Sequence, residues 1–207
     1  MFYRSSTTST LTAAFYPYTS ALIVPNSWSR MFQTATNLEN NTRTQLTSLT
    51  LMGSINPADR SAKTTYSVFV VSPKAVSQSS VIAGSLALTV DYDYTTPSGL
   101  MDKVMMNPKR WTVHMCRRFT TGISTNAVFP LPLVSEQYHN FYWRLKKPMT
   151  LRNEETSSTV SISWKDLAYP RKLTDQKYLV VFSTLPISPD TNYATVDYTL
   201  YAKVKSL

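Results

Sequence analysis

The sequence predicts an all-β domain, and three features of the chain support this fold class. Tyr, Thr, Val and Phe, which favour pleated and half-buried surfaces, are abundant. Apolar and polar residues alternate over several stretches, which is the period-2 pattern of a half-buried strand. The 12 Pro residues fall mostly between these stretches, where they end strands. With 207 residues, the chain is long enough to bury a sizeable core.

Residues 1–42 differ from the rest and are predicted to form an extended N-terminal arm. A Ser/Thr run occupies residues 1–12, for which a disordered tail is an equally good interpretation. Aromatic residues then surround Pro17 and Pro25, a combination that disfavours a helix and favours burial. We expect this arm to pack on a neighbouring subunit or on the edge of its own domain.

Residues 43–207 are interpreted as one domain of eight strands. The predicted strands are Thr44–Ile55, Thr64–Ser72, Ser85–Tyr94, Lys109–Thr120, Asn140–Leu151, Ser158–Trp164, Lys177–Leu185 and Tyr193–Lys205. The second and seventh are apolar on both faces, as expected for strands between two layers. Short helices are predicted over Val76–Ile82 and Leu100–Met106, and Pro148 indicates a bulge or exit in the fifth strand. Long connections between eight strands favour a two-sheet Greek-key sandwich of the jelly-roll type over an up-and-down barrel.

The segment Asn107–Thr121 carries the clearest pattern. A period of two places four side chains on an apolar face and four on a polar, cationic face. The apolar set is Trp111, Val113, Met115 and Phe119, and the polar set is Arg110, Thr112, His114 and Arg118. This segment is therefore predicted to be a half-buried strand that packs inward and meets anions outward.

The charge of the chain points to a polyanionic partner. There are 21 Lys and Arg against 12 Asp and Glu, for a net charge of +9, an imbalance typical of nucleic-acid-binding proteins. The cations are expected to contact phosphates, and Tyr142, Trp111 and Tyr201 to stack on bases. The predicted binding residues are Arg43, Lys109, Arg110, Arg117, Arg118, Tyr142, Arg144, Lys146, Lys147, Lys203 and Lys205. The alternative is a solvated polar face whose aromatic residues belong to the core.

The sequence contains no pattern that indicates an enzyme. No GxSxG, HExxH or P-loop is present, and the chain has only four Gly. One cysteine, Cys116, excludes an intramolecular disulfide, and two histidines are too few to suggest a metal site. Two carboxylate pairs, Asp91 with Asp93 and Glu154 with Glu155, are local neighbours that favour ion pairing or calcium bridging between subunits over catalysis. We expect no cofactor. We also expect no membrane partner, because the sequence contains no apolar run long enough to span a membrane.

The order and texture of the strands resemble capsid proteins of small circular single-stranded DNA viruses, the circovirus, nanovirus and geminivirus grouping. Asn107-Pro-Lys-Arg-Trp, closing on Arg117-Arg-Phe-Thr-Thr121, resembles their central strand. Phe141-Tyr-Trp-Arg-Leu-Lys-Lys147, Leu173-Thr-Asp-Gln-Lys-Tyr-Leu-Val-Val-Phe182 and Ala194–Lys205 follow in the expected order. The resemblance covers about residues 43–207 and rests on pattern and order.

The resemblance implies one jelly roll that assembles as sixty copies into a small icosahedral shell around single-stranded DNA. It also implies localisation in the virion, and in the host nucleus during assembly. Such proteins usually begin with an Arg/Lys-rich arm, whereas residues 1–29 hold only Arg4. Two alternatives remain: a capsid of a small RNA or satellite virus, and a carbohydrate- or receptor-binding β-sandwich without nucleic acid.

Overall fold

The computed structural model describes residues 2–11, 17–28, 43–57, 64–74, 86–95, 103–121, 139–152, 164, 167, 169–170, 172–183 and 194–206. These residues form antiparallel strands, two short 3-10 helices (Pro25–Trp28 and Leu173–Asp175), and no α-helix. None of the helices in this part of the chain has the length and hydrophobicity needed to cross a membrane. The strands are β1 Phe2–Leu11, β2 Tyr18–Ala21, β3 Arg43–Pro57, β4 Thr64–Pro73, β5 Tyr92–Thr95, β6 Lys103–Met106, β7 Trp111–Thr121, β8 His139–Arg144, β9 Met149–Arg152, β10 Tyr178–Ser183 and β11 Ala194–Ser206.

The strands make two main sheets and one hairpin. Sheet A has the order β1-β11-β3-β8, and β9 pairs with the other half of β3. Sheet B has the order β2-β10-β4-β7, and β5 and β6 form the separate hairpin. All strand pairs within these sheets are antiparallel, so the prediction of an all-β protein built from antiparallel sheets is confirmed.

Sheet B is the middle layer, because apolar side chains cover both of its faces. Between the sheets, inward residues of β3, β8 and β11 pack against Val68 and Val70 of β4. On the other face of sheet B, Phe69 and Val71 pack against hairpin residues such as Tyr92 and Val104. Every residue of β4 and β10 is buried, which confirms the prediction for the two strands that are apolar on both faces.

Strand β11 follows its sequence pattern without interruption. Its five inward side chains are buried, and the residues between them lie on the outer face of sheet A. The buried set is Val196, Tyr198, Leu200, Ala202 and Val204. One full strand with a clean period of two thus sets the inside and the outside of sheet A.

A bulge in β7 overturns the predicted faces of the central segment. Val71 of β4 is opposite Val113, whereas its neighbour Val70 is opposite Met115. His114 is therefore an extra residue in β7 without an opposite residue in β4. The bulge reverses the alternation, and Trp111 packs on the hairpin side while Met115 packs between the sheets. The prediction that Trp111, Val113, Met115 and Phe119 share one face is therefore wrong, and Val113 is exposed.

The predicted strand Ser85–Tyr94 is largely a turn. Only β5, which starts at Tyr92, is extended there, and Thr89 adopts a left-handed φ of 65°. Leu88 and Val90, expected to be buried with Tyr92, are each 41% exposed. Asp91 is the reason, because its buried carboxylate accepts hydrogen bonds from the Ala87 N–H at 2.9 Å and the Trp111 indole N–H at 3.1 Å, which folds the chain back on itself.

Other sequence predictions have mixed outcomes. The predicted helix at Leu100–Met106 is wrong over residues 103–106, which form β6. The interruption predicted near Pro148 is confirmed, since the chain leaves sheet A between β8 and β9. Trp164 lies in a single 3-10 turn rather than at the end of a strand, whereas residues 158–163 and the predicted helix Val76–Ile82 fall outside the described residues.

The N-terminal segment contributes an edge strand to each sheet. β1 pairs with β11 along its whole length, and β2 pairs with β10. A disordered tail is therefore wrong for residues 2–11, and the described residues of the segment lie on the edges of the protein's own sheets. Gln176 fixes the chain just after β2, since its fully buried amide accepts from the Ile23 N–H at 2.9 Å and donates to the Ile23 carbonyl at 2.6 Å. The boundary at residue 42 stays a prediction.

Candidate nucleic-acid interface

The outer face of sheet A is a polar surface built from four neighbouring strands. The pairing registers arrange its residues in rows that run across the strands. One row is Arg4, Tyr201, Thr50 and Arg144, and the next is Ser6, Thr199, Met52 and Tyr142. Rows on one face are about 7 Å apart, because they are separated by two residues at ~3.4 Å each.

Six cations occupy one half of this face, and we call them the cationic half. They come from five different strands and all six are exposed. They are Arg4, Arg43, Arg144, Arg152, Lys203 and Lys205. The rows that hold them span about 20 Å along the strands and about 14 Å across, from the spacings of antiparallel strands. This area is large enough to follow a flexible polyanion over several of its charges.

Cations outnumber carboxylates on the outer face of sheet A, among the residues that the structure describes. Arg43 of β3 is directly opposite Arg152 of β9, an arrangement in which like charges repel. The one described carboxylate on this face, Asp197, lies at the other end and accepts a hydrogen bond from the Asn56 amide at 2.6 Å. An anion that lies over the cationic half would relieve this repulsion.

Two tyrosines supply flat surfaces beside the cations. Tyr142 is 54% exposed and lies two residues before Arg144 on β8, so both side chains are on the outer face. Tyr201 lies between Arg4 and Thr50, and the Arg4 guanidinium carbon is 5.7 Å from its ring centroid, within the range of a cation–π contact. Charge beside aromatic rings, of which the Tyr142 ring is exposed, suits sequence-independent binding of single strands, since rings accept any base.

Arg110 and Trp111, predicted to contact nucleic acid, have structural roles. The Arg110 Nε lies 3.0 Å from a carboxylate oxygen of fully buried Asp91. Trp111 is 2% exposed and donates to the same oxygen, so its ring belongs to the core between sheet B and the hairpin. The stacking role predicted for Trp111 is therefore wrong, because its faces are covered by protein.

The other predicted cations lie apart from the cationic half. Lys109 is exposed in the turn before β7, and Arg118 donates to the Val104 carbonyl at 3.2 Å on the hairpin side. Arg117 points to the opposite face from Arg118 and lines an open cavity of about 860 Å³ at the other end of sheet A, with Asn140, Tyr142 and Asp197. The predicted set is thus spread over several regions of the molecule.

Lys146 and Lys147 are exposed in the break between β8 and β9. His114 accepts or donates a hydrogen bond to the Ser72 hydroxyl at 2.7 Å. Burial, followed by the charges of Lys177 and Lys146, lowers the pKa of His114. Lys146 therefore acts on His114 and lies outside the cationic half.

Arg4 and Arg152 are not among the binding residues predicted from the sequence. Arg4 lies in the Ser/Thr run that was assigned to the arm, so it was not connected with a sheet. Arg152 follows Pro148 and was treated as lying beyond the exit of a strand. The alternation of β1, with even-numbered residues exposed, was the available signal for Arg4.

The described residues contain no group of three or more His, Cys, Asp or Glu that could hold a metal ion. Cys116 is a free, exposed thiol on β7.

No family model matches the chain, and no curated protein matches it. Among solved structures it is similar to two of turnip yellow mosaic virus. One, at 100 K, is 16% identical with a TM-score of 0.32, and covers 100% of this chain and 94% of its own. The other is 16% identical with a TM-score of 0.28, and covers 97% of this chain and 79% of its own. These scores and identities are too low to support a conclusion about this protein.

Proposed function

We propose that this chain is a viral capsid protein that assembles into a small icosahedral shell and binds single-stranded nucleic acid through the outer face of sheet A. The observation that carries the proposal is the cationic half, in which six exposed cations share a surface with two tyrosines. Single-stranded nucleic acid has the two features that this surface complements, namely regularly spaced negative charge and flat bases.

The strand order supports the structural part of the proposal. If β8 and β9 count as one interrupted strand and the β5–β6 hairpin as an insertion, eight strands remain. Their orders are then first-eighth-third-sixth in sheet A and second-seventh-fourth-fifth in sheet B. Counted in this way over the described strands, the alternation supports our proposal of a double Greek key, the jelly roll found in many capsid proteins. Jelly rolls also serve other functions, so the cationic half carries the functional argument.

In the proposed shell, the cationic half faces the interior and neutralises the genome. The shell would need heterologous contacts that close around symmetry axes. The sequence resemblance leads us to propose DNA as the nucleic acid and sixty as the number of copies, with RNA as the alternative genome. Residence in the virion and passage through the host nucleus depend on the same proposal.

The test is to purify the protein and examine it by negative-stain electron microscopy and by nuclease digestion of extracted nucleic acid. Uniform small spheres are expected, and their symmetry gives the copy number. DNase or RNase sensitivity identifies the genome type. Persistent monomers without nucleic acid would refute the proposal and favour the carbohydrate- or receptor-binding alternative.

A matched pair of variants tests the surface itself. Lys203→Gln with Lys205→Gln removes two cations from the cationic half, whereas Lys109→Gln with Lys172→Gln removes two exposed lysines elsewhere. For a single strand, the logarithm of the binding constant falls with the logarithm of salt concentration with a slope of about −0.7 for each neutralised phosphate. The first variant should make the slope shallower by about 1.4. An equal change in the control would show that the face of sheet A is not the binding surface.

A further inference from the structure

Among the described strands, none pairs with the outer edge of β1, and this free edge differs from the other edges of the two sheets. In the described part of the chain, β2 has only four residues, and β8 and β9 are separated by a break that contains Pro148. β7 contains the bulge at His114 and two exposed arginines. Short length, proline, bulges and charges are the devices that keep edge strands from pairing with other chains. Three of the four edges therefore carry protection.

β1 has none of these devices along most of its length. It extends over ten residues, its register with β11 is unbroken from Phe2 to Leu11, and it contains no Pro. Its single charged residue is Arg4, whose guanidinium lies over the Tyr201 ring on the face of the sheet. Half of the β1 backbone groups point away from β11, and they form a template for one more antiparallel strand.

We propose that the free edge of β1 pairs antiparallel with the β1 edge of a second copy of this chain, which joins two sheets A across a two-fold axis. In an isologous contact of this kind the same strand faces itself, so the strand must be self-complementary. If Ser6 lies at the axis, Arg4 is opposite Thr8 of the second copy. Even-numbered residues then meet even-numbered residues, so each sheet keeps its polar face on the same side.

The charges also permit this contact. The two Arg4 residues would be four residues apart along the strands, or about 14 Å, from a rise of ~3.4 Å per residue. This separation exceeds the Debye length of roughly 8–10 Å at physiological salt, so the repulsion between them is largely screened. The remaining residues opposite one another are mostly Ser and Thr, which form hydrogen-bonded cross-strand pairs such as the Ser6–Thr199 pair at 3.0 Å within one copy.

Disulfide crosslinking tests the contact in the full-length protein. In a Cys116→Ser background, Ser6→Cys should give a dimer on a non-reducing gel after mild oxidation. Thr10→Cys is the matched control, because it is exposed on the same face of the same strand. Two Thr10 residues would be about 27 Å apart in this register, whereas a disulfide requires Cα atoms within about 7 Å. Thr8→Cys detects pairing with the axis shifted by two residues.

A charge variant gives a second measurement. Ser6→Lys with Thr8→Lys places lysines opposite each other or opposite Arg4, and sedimentation should show loss of the dimer in nucleic-acid-free protein. Thr50→Lys with Ser54→Lys adds the same charge to the central strand β3 and should leave the dimer intact. Circular dichroism confirms that each variant is folded.

Crosslinking at Ser6 or Thr8 but not at Thr10, with loss of the dimer in the charge variant, supports the proposal. Equal crosslinking at all three positions, crosslinking at none, or a dimer that survives the charge variant overturns it. These readouts need no nucleic acid, so they can succeed or fail independently of the proposed packaging function.

Discussion

Replacement of Arg110 by Met separates a structural cation from the cations that are proposed to bind nucleic acid. Asp91 is fully buried, and its carboxylate lies 3.0 Å from the Arg110 Nε. Met keeps an unbranched apolar stem but removes the charge, which leaves a buried carboxylate without its cation. Loss of one partner of a buried ion pair costs about 3–5 kcal/mol. Because the Arg110 side chain is 22% exposed and water reaches it, we expect the lower end, about 3 kcal/mol.

The assay is urea unfolding of Arg110→Met, Asp91→Asn and the double variant, with Lys109→Met as the control. The double variant should be more stable than the sum of the single effects predicts, because the two residues interact directly. Lys109 is exposed, so its replacement should change the free energy of unfolding by less than about 0.5 kcal/mol. The salt slope of nucleic-acid binding should be unchanged in Arg110→Met. If Arg110→Met were as stable as the control and lowered the slope by about 0.7, Arg110 would be a phosphate contact and our assignment would be wrong.

Three further predictions concern stability. Gly53→Ala should destabilise the protein by about 1–3 kcal/mol in urea titrations, because a Cβ there would meet the Phe141 ring and lie 2.6 Å from the Asp197 carbonyl oxygen, whereas Ser54→Ala should not. Gln176→Leu should cost about 3 kcal/mol, since it leaves the Ile23 N–H and carbonyl and the Lys177 N–H without their buried partner, and an unchanged midpoint would contradict this. Burial and nearby lysines lower the pKa of His114, so the unfolded state binds the proton more tightly; the free energy of unfolding should fall as pH drops from about 7 to below 6, and a pH profile equally steep in His114→Gln would exclude this cause.

The local content of the strands could be predicted from the sequence where packing follows the period of two. β11 alternates without interruption, and β4 and β10 are apolar on both faces, so the burial of these strands was predicted correctly. In β11, and at the apolar positions of β4 and β10, the side chains meet the environment that their polarity demands. Local pattern and tertiary packing therefore agree.

Bulges and buried polar contacts could not be predicted in this way. The extra residue His114 reverses the faces of β7, and an extra residue in β3, Thr47, lets both Leu46 and Leu49 point inward. Asp91 was expected to take part in ion pairing or calcium bridging between subunits, yet it is fully buried with Arg110 of the same chain as its cation. These outcomes depend on the partner strand or on a residue that is distant in the chain, and a periodic pattern carries no information about either.

By itself, the sequence determined an all-β protein with an excess of positive charge and showed that two strands, β4 and β10, are buried on both faces. Only the tertiary structure decided where the charge lies. The cationic half combines Arg4 near the start of the chain, Arg43, Arg144 and Arg152 from the middle, and Lys203 and Lys205 near the end. Strand pairing between segments that are far apart in sequence brings them together, whereas Arg110 and Trp111 contact the buried Asp91 on the hairpin side of sheet B. The polarity of each residue along a strand indicates whether it is buried, so burial can be predicted locally. A charged surface exists only after strands from distant parts of the chain have paired.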